Sequence, residues 1–268
     1  MDIYNKLSTT YDKLYKANIE NFQDRMYNVW NGDGWFVDFY PSLGIKPNET
    51  CDLLFYGQAL NGWASGFDVF GSVDELKVRE SITTSNKYFA KLNHSPLDWV
   101  NVRWSNSTFN SITVDEDARH FYTNGSNYRT FRSFFWKVIF KLTCDYYNLE
   151  RESWDWAKKI AWSNLYKIAE DGANPNFFLR EQQVINSVEL VRKEIEELKP
   201  KYCIILTNFE WWQPFQKLIG TTPMPYDKTF DSIVSVEQYY QTKLIITTRP
   251  RFGSGENHVK QILTLLRA

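Results

Sequence analysis

A set of carboxamides and guanidiniums in the polar turns of this chain has the chemistry of a ligand cleft: Gln58, Asn61, Asn164, Asn208, Arg249 and Arg251, with Gly57 beside the first. A carboxamide both donates and accepts, so it can match an edge that carries carbonyl and N–H groups together. A guanidinium offers a planar fork of donors to an anion or a carbonyl. Most of these residues follow apolar runs that end in a polar turn. The runs are Asp52-Leu-Leu-Phe-Tyr-Gly57 into Gln58-Ala-Leu-Asn61-Gly62, Lys159-Ile-Ala-Trp-Ser163 into Asn164, Tyr202-Cys-Ile-Ile-Leu206 into Thr207-Asn208, and Leu244-Ile-Ile-Thr247 into Thr248-Arg249-Pro250-Arg251. In an open parallel sheet ligands bind outside the carboxyl ends of the strands, so the four turns are expected along one rim.

Each of these residues also has a purely structural reading. Gly57 to Gly62 can serve as a tight strand-to-helix connection, and Asn164 as a helix cap. Arg249 and Arg251 are either solvated charges or, held by Pro250 next to Gly253-Ser-Gly255 and a helix start near Glu256, an anion site. Aromatic residues make up 17% of the chain, so Phe67 and Phe70 compete with a structural role in the core. Of Trp211 and Trp212, one ring is expected to pack inward. His94, His120 and His258 have no metal-ligand spacing, and no metal or cofactor is expected. Asp115, Glu116 and Asp117 read as a solvated loop.

The elements that must position the rim follow from periodicity. Residues 2–30 are helical in pattern, with Leu7, Tyr11, Leu14 and Tyr15 on one face and the Asn31-Gly-Asp-Gly34 turn as the stop. A strand is expected at 52–57 and a helix from about Val73. Residues 91–128 form a long polar segment, a loop or lid. A helix covers about 129–147, another 179–198, where Val184, Val188, Val191, Ile195 and Leu198 recur at steps of four and three before Pro200. A strand at 202–206, a helix at 209–219, an extended segment at 232–238, a strand at 244–247 and a terminal helix complete the chain. Strands separated by helices imply a three-layer α/β/α fold with a mostly parallel central sheet. All 268 residues are read as one domain, with 1–50 as an N-terminal helical extension packed on it.

The formal net charge is −1, so no global positive field advertises a nucleic acid, and any such contact needs a local patch. Cys51, Cys144 and Cys203 are odd in number and widely spaced, as structural thiols in a reducing compartment would be. The start of the chain lacks the apolar core of a secretory signal, and no run approaches the ~18 apolar residues of a membrane span. A cytoplasmic protein is expected. The sequence leaves the oligomeric state open.

In order, the turns resemble those of the uracil-DNA glycosylase superfamily, its thermophile-type branch most of all, over roughly residues 50–268. Gly57-Gln58-Ala59-Leu60-Asn61-Gly62 stands where that family has Gly-Glu-Ala-Pro-Gly or Gly-Gln-Asp-Pro-Tyr-His. Trp162-Ser-Asn164-Leu-Tyr-Lys167 is similar to its Thr-Asn-Val-Val-Lys, Leu198-Lys-Pro-Lys precedes a buried strand as in the family, and Thr248-Arg249-Pro250-Arg251 stands where it has His-Pro. The resemblance implies a flipped base, stacked on an aromatic at Phe67 or Phe70 and read by Asn164. Gly57, Asn208 and Arg251 would complete the binding surface, and Gln58, Asn61 and Arg249 the reacting end. The water-placing carboxylate is absent, with Gln58 and Ala59 in its places, and a carboxamide cannot take a proton from water at neutral pH. The implied function is recognition of a nucleobase in DNA with cleavage of its N-glycosidic bond. The alternative is a module that binds a nucleobase, nucleotide or other small molecule without hydrolysis.

Overall fold

The computed structural model describes residues 3–26, 35–45, 49–58, 66–68, 97, 100, 130–151, 155–170 and 173–268. Four apolar runs form its centre as strands β3 (Leu53–Gly57), β5 (Ile160–Asn164), β7 (Tyr202–Leu206) and β10 (Thr242–Thr247). None shows polar alternation, which marks strands covered on both faces. They lie side by side in the order β5-β3-β7-β10, all parallel. Antiparallel strands extend this block at both ends: β2 (Ser42–Leu43) on β5, and β9 (Ile233–Tyr239) then β8 (Thr222–Pro223) on β10.

Side chains leave each strand alternately to the two faces, and the core divides accordingly. Leu53, Phe55, Ile204, Leu206 and Ile245 pack under α2 (Phe134–Tyr147) and α5 (Gly255–Arg267), which contribute Trp136, Val138, Ile139, Val259 and Ile262. Leu54, Tyr56, Cys203, Ile205, Leu244 and Ile246 face the other way. They meet Val188, Val191 and Ile195 of α3 (Phe177–Leu198) and Trp212 and Phe215 of α4 (Phe209–Ile219). The result is helix, sheet and helix. A further helix, α1 (Ile3–Met26), lies on the outer side of α3 and buries Leu7, Tyr11, Tyr15 and Ile19 there. Among the described residues no helix is long and apolar enough to cross a membrane.

The N-terminal region departs from the expected helical extension. The described helix spans Ile3–Met26, and residues 35–43 contribute β1 (Trp35–Asp38) and β2, the latter to the main sheet itself. With β4 (Gly66–Asp68) and β6 (Ile168–Glu170), β1 forms a second, three-stranded sheet in the order β4-β1-β6, both pairs antiparallel. Strands of two to four residues are too short to display a period, so the sequence carries no signal for them. The helix expected near Val73 lies outside the described residues, as does most of segment 91–128. Its Leu97 and Val100 are both fully buried, and Thr130 Oγ1 donates to Val100 O at 2.6 Å.

Candidate functional site

Because β5, β3, β7 and β10 are parallel neighbours, the turns that follow them share one edge of the sheet. Gly57 and Asn164 are register partners at the ends of β3 and β5. The turns are stitched together beyond the strands, since Leu165 N donates to Gly57 O at 2.9 Å and Tyr166 N to Gln58 O at 3.2 Å. On the other side of β3, the Gln58 carboxamide donates from Nε2 to Thr207 O at 3.0 Å. Asn208 then reaches across to the last turn: its Oδ1 accepts from Arg249 N at 2.6 Å, and its own N donates to Thr247 O at 3.0 Å. Thus Gly57, Gln58, Asn164, Asn208 and Arg249 are connected through hydrogen bonds of adjacent turns.

Asn208 is held in an unusual backbone state, φ 79° and ψ 158°, and caps α4 without a side-chain bond to it. A non-glycine residue there costs roughly 1–3 kcal/mol and persists only where surroundings over-determine it. Here the bonds to Thr247 and Arg249 do so. The strain and the diverted side chain leave the α4 N-terminus without the cap that an Asn usually gives. Glu210, in the first turn of α4, sits 3.5 Å from Asn208 Nδ2 and brings a carboxylate to this part of the rim.

Asn164 is only 2% exposed, and its Nδ2 has no hydrogen-bond partner among the described residues. Its Oδ1 lies so close over Gly57 that a β-carbon at that position would stand 2.4 Å from it, and 3.4 Å from Cζ of Phe135. A side chain at position 57 would have to displace the Asn164 amide. Phe135, in the first turn of α2, is an aromatic that the fold brings to the end of β3. Its neighbour Phe134 meets Phe252 edge to face at 6.0 Å between centroids, so the same helix start also touches the turn after β10. That turn projects Arg249, Arg251 and Phe252 into solvent, Phe252 at 91% exposure.

Beneath Asn164 lies a charged cluster that sequence reasoning did not single out as functional. Lys167 and Glu194 are both 0% exposed, with Nζ 2.7 Å from Oε1, an ion pair off the line of a hydrogen bond. Lys167 also donates to Ser163 Oγ at 2.6 Å and to the Asn164 carbonyl, and Tyr56 OH donates to Glu194 Oε2 at 2.6 Å. Burial pushes the Glu194 carboxyl up and the Lys167 ammonium down. Desolvation thus works against both charges, and their proximity offsets it. A charged Lys three residues after an apolar strand was the available signal for this cluster. Its partner stands 27 positions later, on a helix whose other charges are at least partly exposed.

The remaining expected site residues are less closely joined. Arg251 is in the same turn as Arg249, but its main chain is engaged locally, its N donating to Ser254 Oγ at 2.9 Å. Phe67 belongs to β4, paired with Phe36 of β1 in the second sheet, and its side chain lies outside the described residues. Asn61 and Phe70 also lie outside them. Among the described residues no cluster of His, Cys, Asp and Glu is arranged to hold a metal ion. Comparison with protein-family models and with curated proteins finds no match to this chain.

Proposed function

We propose that the protein is a divergent uracil-DNA glycosylase-like binder that recognises a nucleobase in DNA at this rim. The observation that carries the reading is Asn164, a nearly buried amide at the end of a central parallel strand whose Nδ2 is unpartnered among the described residues. An unsatisfied buried donor costs about 1–3 kcal/mol, and an acceptor on a ligand would recover it. The carbonyl of a pyrimidine is such an acceptor. Phe135 supplies a ring beside it, taking the part that the resemblance gave to Phe67 or Phe70. Arg249, Arg251 and Phe252 form a local basic and aromatic edge suited to a strand whose phosphates and bases run along the rim. The buried cysteines Cys51, Cys144 and Cys203 fit a reducing, cytoplasmic setting.

Binding without turnover is the principal reading, because Gln58 spends its Nε2 on Thr207 O and cannot act as a base. A second reading, hydrolysis of the N-glycosidic bond, is favoured by Glu210, whose carboxylate is bonded weakly to Asn208 at the same rim. Titration of the full chain with labelled single-stranded and duplex oligonucleotides, with and without one uracil, tests both. Tighter binding of the uracil-bearing strand with no abasic product supports the first. Abasic product that disappears in Glu210→Gln supports the second. Equal affinity for all oligonucleotides, without product, removes the nucleobase from the proposal.

A further inference from the structure

Arg180 stands in the first turn of α3, where its main-chain N donates to Asn176 O at 3.0 Å. Its guanidinium forms no ion pair and no hydrogen bond among the described residues, and its Nε is shut off from water as well. Aromatic rings hold it instead. The guanidinium carbon lies 4.6 Å from the ring centroid of Trp211, in the first turn of α4, and 5.9 Å from that of Phe177, at the start of α3. Trp211 in turn meets Tyr166 edge to face at 5.7 Å, and Tyr166 meets Phe215 at 5.2 Å. Phe177 is 66% exposed, so this stack of rings and cation opens to solvent at one end.

The stack adjoins the rim. Helix α4 begins directly after Asn208, and Tyr166, in the turn after β5, donates from N to Gln58 O at 3.2 Å. Burial pushes the Tyr166 hydroxyl up to about 12, and the Arg180 charge works against that rise. The field of the guanidinium therefore reaches the turn that follows Asn164. Two carboxylates are close to the stack along the chain, Glu181 and Glu210, and both are exposed. Glu210 faces Asn208 Nδ2 at 3.5 Å. An arginine laid over rings gives up little of its hydrogen-bonding capacity, because its donors lie in the guanidinium plane. Two oxygens of a phosphate match that planar fork.

We propose that Arg180, stacked on Trp211, binds a backbone phosphate next to the base read at Asn164, so that the strand is gripped on both sides of the rim. The inference rests on the nucleic-acid reading and gives it a second contact. On the β10 side the strand meets the Arg249 arm, whose Thr248 carbonyl lies 2.9 Å from Nε2 of the buried His258. On the α3 and α4 side it meets Arg180, with the exposed ring of Phe177 as a platform for a neighbouring base.

Phosphate contacts position a strand without reading it, and that gives the test its signature. The full chain is titrated with a labelled single-stranded oligonucleotide, with and without one uracil, over a range of salt concentrations. Arg180→Met should weaken both strands by the same factor, about ten-fold, and should lower the slope of log affinity against log salt by about 0.7, the share of one phosphate. Arg180→Lys should keep the slope, because it keeps the charge, yet fall short of wild-type affinity. Unchanged affinity and slope in Arg180→Met overturn the proposal, whatever happens to thermal stability, and leave Arg180 as a staple between α3 and α4. A loss confined to the uracil-bearing strand overturns it too, since a phosphate carries no base identity.

The second arm follows the nitrogen-15 resonance of Arg180 Nε, assigned by its absence in Arg180→Lys. Binding of the strand should shift it, and binding without a shift overturns the proposal. If no oligonucleotide binds the wild type, the DNA reading fails, and deoxyuridine monophosphate takes the strand's place. A shift with the monophosphate and none with deoxyuridine then keeps the phosphate site with a free nucleotide as its source, whereas no shift with either overturns the site. Should Arg180→Met not fold, Arg180→Lys and the wild-type resonance decide the matter.

Discussion

The two sides of the rim are held in opposite ways. Under Asn164, a Lys and a Glu with no exposure clamp the turn from inside the protein, with Tyr56 and Ser163 as further partners. Across the sheet, the Arg249 arm stands in solvent and is held by the Asn208 side chain, its own turn and one histidine. The buried side has a strong reason to keep its shape, because displacement of either ion leaves the other uncompensated in an apolar surround. The exposed side keeps its charges hydrated, so its position responds to modest changes in hydrogen bonding. A rigid reader of a base edge and an adjustable contact for a backbone are the uses that this difference suits.

The largest test breaks the rigid side. Lys167→Met strands Glu194 and should lower stability by about 3–5 kcal/mol, while adding Glu194→Leu should restore most of it. The variant also fixes a sign. Burial raises the Glu194 carboxyl in the folded state, so its contribution is full below the unfolded value of ~4.3 and is lost as pH rises through the folded one. Lys167→Met should therefore gain stability relative to wild type on acidification from neutral pH towards about pH 5. Urea titrations at the two pH values measure it, and a variant as stable as wild type would dissolve the contrast.

Next, the exposed side should separate binding from stability. Arg249→Ala should weaken the uracil-bearing single strand by roughly ten- to a hundred-fold, and Arg249→Lys should weaken it too, because a point-like ammonium does not reproduce the planar fork. Thermal stability should hardly change in either variant. Equal affinity in both would return Arg249 to a surface charge. A smaller effect belongs to the joint between the two sides. Asn208→Gly relieves the backbone strain but deletes the acceptor of Arg249 N, so stability should move by less than about 1 kcal/mol while affinity drops several-fold. Least of all should happen to the thiols of the buried side. Burial pushes Cys51 up to about 12 and raises Cys203 well above its ordinary value, so a thiol reagent should label neither until the protein unfolds.

The sequence announced the long elements and not the short ones. Strand Tyr202–Leu206 and helix Phe209–Ile219 have the bounds that patterning gave them, because an uninterrupted apolar run and a helical period leave few alternatives. Trp35–Asp38 and Ile168–Glu170 pair only through a second sheet, a long-range event without a local mark. Turn chemistry put Gln58, Asn164, Asn208 and Arg249 along one rim, and the turns that carry them are neighbours in the fold. Phe135 was legible as a helical residue but not as a neighbour of Gly57, since that contact joins elements about eighty positions apart. Glu194 was hidden by its type. A Glu on a charged helix reads as wet, and only the packing of α1 on one side of α3 and the sheet on the other removes its water.

The two ends of the main sheet set how this chain can meet copies of itself. A sheet margin with a long row of free main-chain donors and acceptors is a template for recruiting another strand. Here one outermost strand is Ser42–Leu43, two buried residues, and the other is Thr222–Pro223, two exposed residues of which the second has no N–H to offer. Fibril-like growth by strand addition is poorly served at either margin, so self-association, where it occurs, should leave the sheet its present width and be insensitive to substitutions at Thr222.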